Sequence, residues 1–112
     1  MLPREERLTR SGEFREVYRR GRRYAGGGLV VYFLAGRGGP RVGFRVPRRV
    51  GKAVVRNRVR RRLREAYRQL RGEIPGGWCV VVARDDCAGM GMLELRDALR
   101  GLLKRAEADA RG

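Results

Sequence analysis

The sequence predicts a single small α+β domain, and three observations predict it. Apolar residues recur at helical spacing in three segments, while other short runs are β-branched and aromatic, so helices and strands must share one core. The length of 112 residues is that of one domain. An apolar content of 42% suffices for a core although 36% of residues are charged, whereas disorder needs low hydrophobicity together with high charge. The expected order is α-β-β-(β)-α-β-α, the bracketed strand being left open. One domain spans 1–112, with 1–10 and 109–112 expected to be flexible.

The first helix falls at 11–20, where Ser11 can cap and Phe14, Val17 and Tyr18 stand at i, i+3 and i+4. Gly21 ends it, and the polar pair Arg22 and Arg23 leads into a loop of glycines at 26–28. Residues 29–34 (Leu-Val-Val-Tyr-Phe-Leu) form a strand bounded by glycines, followed by a turn at 36–40. Residues 41–46 alternate polar and apolar until Pro47, so the two strands are expected to pair as a hairpin. Over 51–70 the period changes: Val55, Val59, Leu63, Ala66 and Leu70 make one helical stripe. Residues 78–83 are continuously apolar, as in a centrally buried strand. A last helix covers 92–108 on the stripe Leu95, Leu99, Leu102, Leu103 and Ala106, interrupted by Gly101.

Composition excludes several kinds of chemistry. Histidine is absent, which removes the commonest general base and neutral metal ligand. Cys79 and Cys87 form neither a C-x-x-C pair nor a four-ligand set, so zinc and a disulfide framework are not expected and a reducing compartment fits. No run reaches the length of a membrane span and the N-terminus lacks a signal peptide's apolar core, so the expected location is cytoplasmic. A domain of this size buries only about two-thirds of its unfolded surface and leaves little room for a deep catalytic cavity.

Charge points the other way, toward a polyanion. Twenty-eight basic residues against twelve acidic give +16, and all but Lys52 and Lys104 of the basic set are arginine. Arginine's planar fork binds phosphate bidentately and stacks on bases, although a GC-rich genome also favours Arg over Lys. At ~100° per residue, Asn57, Arg60, Arg61, Arg64, Arg68 and Arg71 lie opposite the apolar stripe, over about 21 Å of helix. A solvated face is the ordinary home of such charges, but solubilising faces mix signs and here Glu65 is the only acid between 52 and 71. Neither zinc spacing nor a long leucine heptad supports a duplex-DNA reader. Phe14 and Tyr18, facing a sheet that carries Tyr32, would offer stacking platforms for single-stranded RNA; aromatics at helical spacing also serve as core.

The run from Arg48 to Ala66, RRVGKAVVRNRVRRRLREA, resembles the RNR signature of the bacterial ribonuclease P protein family. The likeness extends to Gly12, Glu13, Phe14 and Tyr18, to 42–46 and to 80–84. It implies an α+β fold shared with a ribosomal-protein domain, a sandwich with a left-handed β-α-β crossover that general chirality would not predict. It implies an RNA-binding subunit of an endoribonuclease that removes the 5′ leader of precursor tRNA. Its partners would be a catalytic RNA and precursor tRNA, with Mg2+ held mainly by the RNA, no catalytic residue on the protein, and no obligate protein partner. Carried over by position, Arg56, Asn57, Arg58, Arg60, Arg61 and Arg64 would face the catalytic RNA. Arg48, Arg49 and Lys52 would extend that surface, as would Arg68. Phe14, Tyr18 and Tyr32 would line the cleft for the leader. The chain departs from the family at Arg45 and Pro47, where small hydroxyl residues are usual, and at glycines 26–28. Two alternatives stay open: a general or ribosomal RNA-binding protein, and a protein-only nuclease using Asp85 and Asp86.

Overall fold

The computed structural model describes residues 2–111. Helix α1 (Ser11–Arg20) is followed by strands β1 (Arg22–Gly26), β2 (Leu29–Leu34) and β3 (Arg41–Arg45). Helix α2 (Ala53–Gln69), strand β4 (Trp78–Ala83) and helix α3 (Met92–Arg111) complete the order. The strands form one sheet in the order β1-β2-β4-β3. Three helices on a four-stranded sheet match the expected class, and the open strand is present.

The pairing differs from the expected hairpin. β2 does not pair with β3; it pairs antiparallel with β1 and β4, and β3 runs parallel to β4. The hairpin is β1–β2, closed by Gly27 and Gly28 at φ 58° and 82°. Two successive positive φ values make the tight primed turn that suits strand twist and favours glycine. β4 takes the centre because both of its faces are apolar: Val80 and Val81 are fully buried on opposite sides. A parallel β3–β4 pair needs a crossover, and α2 supplies it.

The sheet is covered on both faces. Toward α2 and α3 lies the larger core, with Leu29, Val31, Phe33, Val42, Val81, Leu63, Leu95 and Leu99 among its members. Tyr67 belongs to it, packed edge-on to Phe44 at 6.0 Å. Toward α1 lies a smaller cluster of Leu8, Val17 and Val80, flanked by Phe14, Tyr32, Leu34, Trp78 and Val82. One short helix leaves part of that face open.

Element ends were less legible. Ser11 is the first helical residue and Arg10 takes the capping position; Glu13 closes the end by accepting the Thr9 and Arg10 amides at 2.9 and 3.0 Å. The expected cap therefore moves one residue upstream, because the third helical residue does the capping. Of the ends expected to be flexible, Leu2 and Leu8 are buried, a 3-10 turn spans Arg4–Glu6, and the Leu8 amide bonds the Val42 carbonyl at 2.9 Å. At the other end α3 continues past 108, and Asp109 accepts the Tyr24 hydroxyl at 2.8 Å. Met1 and Gly112 lie outside the described residues.

Candidate nucleic-acid interface

Helix α2 separates its residues as its period dictates. Val59, Leu63 and Ala66 are buried, whereas Asn57, Arg61, Arg64 and Arg68 are exposed. Arg60 donates to Asn57 Oδ1 at 3.0 Å, one turn away, which fixes both side chains on the same face. Arg68 is partly neutralised by Glu65 at 2.7 Å, while Arg61 and Arg64 have no ion-pair partner among the described residues. Unpaired like charges on one face repel unless an anion sits on them.

The remaining predicted cations are divided among other tasks. Arg48 and Arg49 are exposed on the 3-10 turn before α2, with Arg49 beside Asp85 at 3.5 Å, and Lys52 is exposed at the α2 N-cap. Arg56 Nε donates to the Gly51 carbonyl at 3.1 Å and so braces that turn. Arg58 is half-buried with its Nε shielded from solvent, on the other flank of the helix. Arg62, assigned no role from the sequence, donates to the Met90 carbonyl at 2.9 Å and ties α2 to the start of α3.

The aromatic residues converge on the α1 side of the sheet. Tyr18 and Tyr32 meet edge-to-face with centroids 4.8 Å apart. Phe14 lies over β3, where a Cβ on Gly43 would stand 2.3 Å from the ring's Cζ. The glycine thus makes space for the ring. Glu13 fixes this part of α1: burial pushes its pKa up, but the Arg10 and Thr9 amides and the Arg41 guanidinium outweigh that and hold it below the usual value. The Arg41 Nη1 to Glu13 Oε2 distance is 2.7 Å, and Arg41 Nη2 also bonds the Arg7 carbonyl at 2.7 Å.

Two further arginine–aromatic contacts went unpredicted. Arg45 lies 4.5 Å from the Phe14 centroid, and Arg41 lies 5.2 Å from that of Trp78. Burial raises the Tyr18 pKa, and the charge of Arg45 opposes the rise. Arg45 stood out in the sequence only as an unusual residue at a strand end, because a partner two elements away carries no local pattern.

The two surfaces meet in one cleft of about 820 Å³. Phe14, Leu8 and Thr9 form one wall, Val42, Gly43 and Phe44 the floor, and Arg60, Arg61, Arg64 and Arg68 the other wall. Tyr18 and Tyr32 lie outside the cleft's lining, beyond Phe14. Cationic residues that bind phosphates, and a ring on which a base can stack, therefore share a channel wide enough for a single strand.

Comparison with known proteins agrees with this geometry. The Ribonuclease P family model matches residues 2–107. A curated relative, the ribonuclease P protein component of Acidothermus cellulolyticus, is 51% identical over 49 residues, a match covering 41% of each protein. The chain thus aligns with well under half the length of that relative. The RNase P protein of Staphylococcus aureus superposes with a TM-score of 0.82 at 28% identity, covering 91% of this chain and 95% of that one. That of Thermotoga maritima gives 0.79 at 33% identity, covering 89% and 96%. Sequence signature, fold and a family match over nearly the whole chain coincide, and the chain belongs to the ribonuclease P protein family.

Proposed function

We propose that this chain is the RNA-binding protein subunit of a ribonuclease P holoenzyme, acting in removal of the 5′ leader from precursor tRNA. The arginine face of α2 binds the catalytic RNA, and the aromatic shelf of Phe14, Tyr18 and Tyr32 holds the single-stranded leader. The observation that carries this is the cleft joining Phe14 to Arg60, Arg61, Arg64 and Arg68. Stacking recognises an unpaired strand that precursor tRNA has and mature tRNA lacks, so the protein raises affinity for substrate over product. Neutralising phosphates also lets two RNAs approach at lower magnesium.

Bond cleavage belongs to the RNA in this proposal, with Mg2+ held there. Among the described residues no group of three His, Cys, Asp or Glu side chains could hold a metal ion. Asp85 is exposed and beside Arg49, which offers no support to a protein-only nuclease. Among the described residues no helix is long and apolar enough to cross a membrane; a cytoplasmic site of action is part of the proposal.

The test is precursor tRNA cleavage at low magnesium by a bacterial ribonuclease P RNA, with protein, without it, and with protein alone. Stimulation that requires the RNA is the expected result. Cleavage by the protein alone would relocate the chemistry to its carboxylates, and no effect in either arm would leave a general RNA-binding domain.

A further inference from the structure

Arg45 is set apart from the other cations. It closes β3 in register with Val82 of β4, which in turn faces Val30 of β2. That row neighbours the row of Tyr32, Val80 and Gly43 on the α1 side of the sheet. Arg45 is exposed, has no ion-pair partner among the described residues, and places its guanidinium 4.5 Å from the Phe14 centroid. A guanidinium held against a ring keeps its N–H groups around its rim, available to a ligand lying alongside.

We propose that Arg45 is a specificity-determining residue that reads a guanine in the bound strand. The inference rests on the leader-binding role proposed above. Its immediate surroundings are the faces of Phe14 and Tyr18, on which bases stack, so the group that reaches Arg45 is the edge of a base. Guanine presents two adjacent acceptors, O6 and N7, that match the arginine fork. Adenine and cytosine place an amino donor against it, and uracil offers a single acceptor. Phosphates find unpaired cations on α2, where Arg61 and Arg64 stand.

The experiment uses the reconstituted holoenzyme and a precursor tRNA pool whose leader is randomised, with relative kcat/KM read for each base at each position by sequencing. The wild-type protein is expected to favour guanine at one leader position by roughly 5-fold, the lower end of bidentate discrimination because the site is open to water. Arg45→Ala should flatten that preference, and Arg45→Lys should not restore it, since an ammonium keeps the charge but lacks the fork. Arg45 is exposed, and thermal melts of both variants establish that they fold.

Absence of a guanine preference, or its persistence in Arg45→Ala, overturns the proposal. A uniform loss across all four bases in Arg45→Ala that Lys restores also overturns it, in favour of a phosphate contact. Wild-type affinity for precursor and mature tRNA is measured in parallel. Equal affinities would remove the leader role itself, whereas a strong precursor preference with no base selectivity would remove only the role of Arg45.

Discussion

Gly43 and Phe14 show how much one missing methyl group can determine. An alanine Cβ at 43 would stand 2.3 and 2.4 Å from two ring atoms of Phe14, so the ring would have to leave the sheet. Gly43→Ala should cost about 1–3 kcal/mol of stability by overpacking and reduce precursor preference, with binding to the catalytic RNA retained. Urea unfolding and paired precursor and mature tRNA titrations check this; an unshifted urea midpoint would contradict the contact. Tyr32→Ala removes a stacking face worth about 1–3 kcal/mol per base. It should lower the precursor-over-mature affinity ratio roughly 10-fold without weakening holoenzyme assembly.

Glu13 supplies a pH-dependent term at the same scale. Its folded pKa lies below the model value of 4.5, so the carboxylate form is favoured by folding. Its contribution is present above the unfolded pKa and is lost as pH falls from there through the folded value. Glu13→Gln should therefore destabilise the protein at neutral pH, with the difference from wild type shrinking as pH drops below about 4.5. Denaturant midpoints measured from pH 7 to pH 3 give the curve; a constant difference across that range would contradict the linkage.

At the scale of elements, α2 divides labour by helical angle. Its stripe of Val59, Leu63 and Ala66 was readable because burial against one sheet demands a 3.6-residue repeat, and the exposed positions of Arg61 and Arg64 follow from the same repeat. Angle alone did not reveal that Arg56 braces a turn or that Arg62 ties to Met90, since those depend on carbonyls of other segments. Arg64→Glu should weaken binding to the catalytic RNA and lower the log–log salt slope by about 1. Titration against NaCl concentration measures this, and an unchanged slope would place Arg64 off the RNA.

Strand pairing was the least legible part at this scale. Residues 29–34 and 41–46 had strand patterns and a glycine-rich connection, so pairing them was the local solution. The actual turn at Gly27 and Gly28 had an equally plain signal, but Arg22 and Arg23 masked the strand before it. An edge strand with one face at the surface need bury little, and β1 buries only Tyr24. Likewise the apolar run of β4 announced a central strand, yet nothing in it named β3 as its parallel neighbour.

For the molecule as a whole, a net charge of +16 on 112 residues opposes compaction by self-repulsion. Nine ion pairs are formed among the described residues, several of them with arginines, but most lie at the surface, where pairs contribute little. Screening should therefore stabilise the isolated protein. Raising NaCl from about 20 to 300 mM shortens the Debye length from about 20 to 6 Å and should raise Tm by roughly 3–8 °C, equivalent to about 1 kcal/mol. Thermal melts followed by circular dichroism check this, and a Tm that falls with salt would mean attractive pairs outweigh the repulsion.

The sequence by itself determined the class of fold, the helices, the central strand and the polyanion-binding chemistry. Each of these is local or periodic: a helix face, a β-branched run and a charge balance are written in consecutive residues. Only the tertiary structure decided which strands are neighbours, which arginines are spent on internal carbonyls, and that Phe14 shares a cleft with Arg61 and Arg64. Those outcomes depend on contacts between segments far apart in the chain, where burial of both faces of β4 and the space above Gly43 determine what can approach what.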